Sequence, residues 1–184
     1  CLAISSANGI ASVAVARALV LEKAMRPVSA AVRGVASVEA DENDMSVGYG
    51  GLPNELGVVQ LDSACMDGPT HNAGSVASIE DIMHPAQVAE LVMDHTDHIN
   101  LVGPGASQFA LDYGFKAENL LTERARGIWL KWRAQRSGDD RLWPLLDTVP
   151  ADPALAAEPR PWGTIHCSVL APNADLGCCT TTSG

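Results

Sequence analysis

Apolar residues recur with a helical period in some segments of this chain and alternate with polar residues in others. Alanine, valine and leucine dominate residues 10–23, which hold no glycine or proline, so we expect a helix packed on most of its sides. Pro27 ends this helix and suits the first turn of a second helix over 28–38, where valine and alanine recur at helical spacing. A short apolar run at 2–6 predicts a buried strand with both helices behind it.

Strand-like alternation predicts two hairpins. Residues 58–68 end at an Asp-Gly turn and 74–79 form their partner, which indicates antiparallel sheet rather than a βαβ unit. Residues 164–170 and 176–182 form a second hairpin, and because it comes last we expect an open sheet edge there and a truncated chain. The fold class is therefore α+β. The remaining segments predict one short strand, at 98–102. They also predict three helices: from His84-Pro85 to about 94, from Gly103-Pro104-Gly105 to 113, and over 122–135, with Thr122 as the cap of the last helix.

Composition and charge narrow the classes of partner. The 184 residues suit a single domain, and 12 basic against 22 acidic residues give a net charge of −10, which disfavours nucleic acid and anionic membranes. No apolar stretch approaches the roughly 20 residues that a membrane-spanning helix needs. The five cysteines lack a regular spacing and mostly lie in apolar strands, so we expect free, buried thiols. A cytoplasmic and an exported location both fit the sequence.

The short motifs predict no metal and no cofactor. His95 and His98 lack the i, i+4 spacing that places two ligands on one helix face, so we expect them to be solvated. Gly103-Pro104-Gly105 matches neither the P-loop nor the GxGxxG pattern and indicates a turn that leads into a helix. The glycine-rich loop at 46–54 can bring backbone close to a neighbour or a ligand, because glycine lacks a Cβ and tolerates positive φ.

The Gly163-Thr164 bond is the strongest candidate for chemistry. It joins a proline-rich segment, 137–161, which we expect to be exposed or flexible, to a strand that would hold the threonine rigidly. A threonine at a new N-terminus carries a nucleophile and a base together, since its α-amine has a pKa of about 7.7–8.0. On these features alone, an ordinary strand threonine fits equally well.

Longer stretches carry a family resemblance. These stretches are Ser-Val-Gly-Tyr-Gly-Gly-Leu-Pro-Asn at 46–54, then 60–68, 74–77, His84-Pro85, 101–106, Phe109-Ala110, 118–122, Thr164 and 182–184. In their order and spacing they resemble the glycosylasparaginase (aspartylglucosaminidase) family, and the likeness covers the whole chain. The resemblance implies an N-terminal-nucleophile hydrolase fold, a four-layer αββα sandwich with two central, mainly antiparallel sheets.

The resemblance also implies a precursor that cleaves itself before a threonine. Residues 1–163 would then correspond to nearly all of an α subunit and 164–184 to the opening of a β subunit, in an α/β heterodimer or a dimer of heterodimers. Thr164 matches the nucleophile, Gly163 and Thr164 flank the cleavage site, Thr182 matches a threonine that hydrogen-bonds near the nucleophile, and Ser46 matches a supporting serine. The family's substrate clamp and oxyanion hole are expected beyond Gly184. The implied substrate is a small asparagine derivative, N4-(β-N-acetylglucosaminyl)-L-asparagine, and the implied chemistry needs no cofactor.

Three positions depart from the family pattern. Ala7 stands where many members have a tryptophan that lines the substrate pocket. Gly163 replaces an aspartate proposed to assist cleavage, although the isoaspartyl peptidase/asparaginase branch also has Gly-Thr. His166 stands where glycine is common. The alternatives are therefore an L-asparaginase or isoaspartyl peptidase, and, in another class, a catalytically silent fragment or interaction subunit.

Overall fold

A computed structural model describes residues 1–135 and 163–183 of the chain. Each predicted strand and helix within these ranges is present, with its ends shifted by no more than a residue or two. The prediction for the proline-rich segment 137–161 falls outside the described residues. The strands are β1 (Leu2–Ser5), β2 (Gln60–Asp67), β3 (Ala73–Glu80), β4 (Asn100–Val102), β5 (Thr164–Leu170) and β6 (Leu176–Ser183). The helices are α1 (Ile10–Lys23), α2 (Pro27–Glu39), α3 (Pro85–His95), α4 (Pro104–Asp112) and α5 (Glu123–Gln135), with a short 3-10 turn at Ala7–Gly9.

The described strands form one six-stranded sheet in the order β1-β5-β6-β2-β3-β4. β5 and β6 pair as the predicted hairpin but lie inside the sheet, because β5 also pairs with β1 and β6 also pairs with β2. The expectation of an open edge at the last hairpin is therefore wrong: two upstream strands cover its two sides, and the edges are β1 and β4. β2 and β3 are antiparallel, as predicted, whereas β3 and β4 run parallel and are connected through α3.

The core lies between one face of the sheet and helices α2 and α3. Alternate residues of β5, Ile165, Cys167 and Val169, are fully buried on that face. Gly177 of β6 allows the backbone of α2 to approach closely, since a Cβ there would lie 2.1 Å from the Val28 nitrogen. Small residues at such contacts let helix backbone rest directly on the sheet.

Helix α1 is less enclosed than its composition predicts. In the described part of the chain, the buried residues of α1 are Ser12, Ala16 and Val20, and Ile10 is 80% exposed. This stripe packs on α2 at Gly34, where an added Cβ would lie 2.6 Å from the Ser12 carbonyl oxygen. The expectation of a helix packed on most sides is wrong because an alanine- and valine-rich sequence favours helix without fixing the number of neighbours.

The other face of the sheet, called the open face below, changes in polarity from one end to the other. At one end the register aligns Leu2, Leu170 and Leu176, which are 60%, 38% and 49% exposed. At the opposite end it aligns Thr164 of β5, Thr182 of β6 and Asp62 of β2. The polar end of the open face is therefore where the predicted nucleophile lies.

The cysteines are free thiols, as predicted. Cys65, Cys167 and Cys179 are buried, Cys178 is half-buried and Cys1 is exposed. Burial raises the pKa of the Cys65 thiol to about 12, which keeps it protonated and unreactive near neutral pH. No helix within residues 1–135 and 163–183 combines the length and apolar character needed to cross a membrane.

Candidate active site

Thr164 and Thr182 face each other across strands β5 and β6. The Thr164 hydroxyl donates to Thr182 Oγ1 at 3.1 Å, and Thr182 Oγ1 lies 3.4 Å from the carbonyl oxygen of Gly163. The second contact is longer than an ordinary O–H···O bond. A hydroxyl has one proton and two lone pairs, so Thr182 can accept from Thr164 while it donates to Gly163. The strand register thus places Thr164 and Thr182 beside the Gly163-Thr164 peptide bond.

Ser46 lies near Gly163. A Cβ added to Gly163 would lie 3.5 Å from Ser46 Oγ, and the Ser46 carbonyl accepts the backbone N–H of Ser183 at 2.8 Å. The Ser46 hydroxyl donates to Asp44, and the side-chain amide of Asn8 donates to Ser46 Oγ at 3.3 Å. Ser46, the predicted supporting serine, thus lies beside the residue that precedes Thr164, whereas Asp44 and Asn8 were not predicted.

The glycine-rich loop brings backbone close to α2, as its composition indicates. Gly48 has φ +51, and a Cβ there would lie 2.1 Å from the Glu39 carbonyl oxygen. Its neighbour Tyr49 donates a backbone N–H to that same oxygen at 2.7 Å. Gly51 lies against Ser183, whose Cβ would be 2.9 Å from an added methyl group. These close approaches fix the loop that carries Ser46.

Glu39 is a fully buried carboxylate behind the site. It accepts the backbone N–H of Ala86 at 3.1 Å, in the first turn of α3, and lies 3.3 Å from His84 Nδ1. Burial raises the pKa of Glu39 above its ordinary value of 4.5, while His84, the Ala86 N–H and the Thr181 side chain oppose the shift. Glu39 therefore joins α2 to α3 and to the strand that carries Thr182. A charged residue at the end of an apolar helical stripe was the one sequence signal for it.

His166 bridges two hydroxyl groups on the open face. Its Nδ1 lies 2.7 Å from Thr180 Oγ1 and its Nε2 lies 2.7 Å from Ser168 Oγ. Its backbone N–H donates to Ser6 Oγ at 3.1 Å. The histidine thus fills the surface beside Thr164, where the smaller glycine could not make these contacts. Ala7 is exposed in the 3-10 turn that follows β1.

An open groove of ≈ 340 Å³ runs beside Thr182 along the open face. Asp62, which pairs with Thr182 in the strand register, lines it and accepts the backbone N–H of Ser78 at 2.6 Å. Ser78 has φ +51, at an irregularity where the pairing of β2 with β3 shifts. In the residues that the structure describes, no three His, Cys, Asp or Glu side chains group in a way that could hold a metal ion.

Comparison with known proteins identifies the family. The profile of a family described as Asparaginase (Asparaginase_2) matches residues 4–184, nearly the whole chain. The chain belongs to this asparaginase family. The predicted relation to glycosylasparaginases is confirmed, because the similar proteins carry that name, some of them as putative members.

Several relatives show how far the similarity extends. N(4)-(beta-N-acetylglucosaminyl)-L-asparaginase of Elizabethkingia miricola is 48% identical over 113 residues, which are 61% of this chain and 33% of that protein. A putative N(4)-(beta-N-acetylglucosaminyl)-L-asparaginase of Drosophila erecta is 38% identical over 133 residues, 72% of this chain and 33% of its own length. The rat N(4)-(beta-N-acetylglucosaminyl)-L-asparaginase is 36% identical over 105 residues, 57% of this chain and 30% of its own. The matched part of the chain thus spans about a third of these relatives.

Proposed function

We propose that this asparaginase-family protein is a self-processing amidohydrolase whose nucleophile is Thr164. The observation that carries the proposal is the series of contacts from the Thr164 hydroxyl to Thr182 and on to the Gly163 carbonyl oxygen. A nucleophile, a proton acceptor and a donor for the carbonyl oxygen are the groups that peptide-bond attack requires. Membership of the asparaginase family supports the same chemistry.

Processing begins with attack of Thr164 Oγ1 on the carbonyl carbon of Gly163. The new C–O bond forms as the hydroxyl proton passes to Thr182 and the Thr182 proton passes to the former carbonyl oxygen. The C–N bond then breaks as the proton on the former carbonyl oxygen passes to the nitrogen. The C=O bond re-forms in an ester between Gly163 and Thr164 Oγ1, and the nitrogen becomes the α-amine of Thr164. Water hydrolyses this ester, which leaves a carboxyl group on Gly163 and a free N-terminal Thr164.

The mature enzyme uses the same hydroxyl on an asparagine-linked substrate. The α-amine of Thr164 accepts the hydroxyl proton, and Oγ1 attacks the side-chain amide carbon of the substrate. The amide C–N bond breaks, the proton moves to the departing amine, and water opens the resulting acyl-enzyme ester. For N4-(β-N-acetylglucosaminyl)-L-asparagine the products are aspartate and a glycosylamine. These steps need no metal or cofactor.

The proposal extends to the fold and the assembly. The open face exposes Leu2, Ile4 and Leu176, and apolar side chains aligned on one sheet face favour burial against a second layer. A second sheet on that face would complete a four-layer αββα sandwich. Cleavage at Gly163-Thr164 would make the two halves an α/β heterodimer.

An L-asparaginase or isoaspartyl peptidase is the second candidate. The small, exposed side chain of Ala7 favours it, since no aromatic ring is available there to stack on a sugar. Both candidates share Thr164 as the nucleophile and differ in the group that leaves with the amide nitrogen.

Substrate comparison tests the proposal. The purified full-length protein would be assayed with N4-(β-N-acetylglucosaminyl)-L-asparagine, with asparagine and with an isoaspartyl dipeptide, and kcat/KM would be measured for each. The glycosylated substrate should be preferred, and preference for either of the others would favour the second candidate. Thr164→Ala should abolish turnover and Thr164→Ser should retain part of it. Absence of turnover on all three substrates in a folded, cleaved protein would instead indicate a silent subunit.

A further inference from the structure

A chain of hydrogen bonds passes beside Gly163 and ends at Asp44. The backbone N–H of His166 donates to Ser6 Oγ at 3.1 Å, and the Ser6 hydroxyl donates to Asn8 Oδ1 at 2.8 Å. The Asn8 amide donates in turn to Asp44 Oδ2 at 2.9 Å and to Ser46 Oγ at 3.3 Å. These bonds tie β5, which begins with Thr164, to the loop that carries Ser46.

Asp44 sets the direction of the hydrogen bonds that Asn8 and Ser46 make to it. An ionised carboxylate can accept hydrogen bonds but cannot donate them, whereas hydroxyl and amide groups do both. Asp44 Oδ1 accepts both the backbone N–H of Ser46, at 2.9 Å, and its hydroxyl proton. The Ser46 lone pairs are consequently left to face Asn8 and Gly163.

The chain of bonds passes close to Gly163 without touching the reacting atoms. The position that a Cβ of Gly163 would occupy lies 3.5 Å from Ser46 Oγ and 4.0 Å from Asn8 Nδ2, so both side chains border the space beside the residue before Thr164. Ser46 is also held to β6 through the Ser183 N–H at 2.8 Å. Ser46 thus joins this chain of bonds to the strand that carries Thr182.

We propose that Asp44 is a positioning residue that sets the rate at which the Gly163-Thr164 bond is cleaved. Through Ser46 and Asn8 it holds the Gly163 carbonyl within reach of Thr182. This inference rests on the proposed self-processing. A misplacement of about 1 Å at a reacting centre slows reactions by about a hundredfold, so small changes in this chain of bonds should be measurable.

The test exchanges the side chains of Asn8 and Asp44, whose Nδ2 and Oδ2 atoms lie 2.9 Å apart. Asp44→Asn sets two amide donors against each other, and Asn8→Asp sets two carboxylates against each other; each should slow cleavage by about 10- to 100-fold. The double variant Asn8→Asp/Asp44→Asn restores a donor and an acceptor and should recover most of the rate. Asp41→Asn is the matched control, because Asp41 bonds within the same turn, to Asn43, and should leave the rate unchanged.

Cleavage of the full-length protein would be followed during cell-free synthesis by timed denaturing gels, with the new N-terminus identified by sequencing. Melting temperatures of the same variants in a Thr164→Ala background would show that each one folds. Wild-type cleavage with an equally fast Asp44→Asn variant would overturn the inference and leave the proposed function standing. A double variant slower than both single variants would overturn it too. A wild-type protein that is never cleaved before Thr164 would overturn both.

Discussion

Replacement of Thr182 by valine removes one hydroxyl from the candidate site and leaves its shape unchanged. The variant loses the 3.1 Å bond from Thr164 and the 3.4 Å contact to the Gly163 carbonyl. Net contributions of neutral hydrogen bonds to stability are about 1 kcal/mol, and the longer contact contributes less. We therefore expect the melting temperature to change little.

The cleavage rate should respond far more strongly. Negative charge develops on the Gly163 oxygen only as Thr164 attacks, and a donor aimed at such an oxygen is worth about 10²- to 10³-fold in rate. Thr182→Val should slow cleavage by that factor, measured by timed denaturing gels of newly synthesised protein. Thr182→Ser keeps the hydroxyl and should stay close to the wild-type rate.

Thr180 supplies a matched control for this prediction. It lies two residues from Thr182 on the same face of β6, and its hydroxyl bonds to His166 rather than to the scissile peptide. Thr180→Val should therefore change the cleavage rate little. Equal rates for Thr182→Val and the wild type, or equal losses for the two valine variants, would refute the reasoning.

Three further predictions concern stability and reactivity. Gly177→Ala should destabilise the fold by about 1–3 kcal/mol, because the added methyl group would overpack against α2. Gly127→Ala, in open space on α5, should stabilise the fold by up to about 1 kcal/mol. Urea unfolding measures both effects, and equal changes in stability would contradict the packing argument. Because burial raises the pKa of Glu39, the folded protein retains a proton that the unfolded chain has released above pH 4.5. The free energy of unfolding should fall as the pH rises from 4.5 towards the folded-state pKa of Glu39, and the Glu39→Gln variant should lack that fall. If the free energy of unfolding depended on pH in the same way in both proteins, the assignment to Glu39 would be contradicted. Thiol labelling of the native protein should modify the exposed Cys1 and spare Cys65, and rapid labelling of Cys65 would contradict its burial.

Local sequence patterns predict the elements of this fold but not their arrangement. Helix α2 follows from Pro27 and a valine and alanine period, and the hairpin of β5 and β6 follows from a turn between two alternating runs. The order of the strands cannot be predicted in this way, because β1 and β5 are far apart in sequence and no local sequence pattern indicates that they pair. The open edge was predicted wrongly for this reason.

The site residues that were predicted depend on local structure, and those that were not predicted depend on contacts between distant segments. Thr164 and Thr182 belong to one hairpin, so their strand register places them together. Asn8 and Asp44 are 36 residues apart, and Glu39 and Ala86 are 47 apart. Their roles depend on tertiary packing, which polar residues in a loop or at a helix end do not reveal by themselves.

Sequencing of the N-termini of the purified full-length protein tests the central claim most directly. Self-processing predicts two chains, one of which begins at Thr164, and predicts a single uncleaved chain for Thr164→Ala. A single uncleaved chain in the folded wild-type protein would contradict the claim. A new N-terminus at any residue other than Thr164 would contradict it as well.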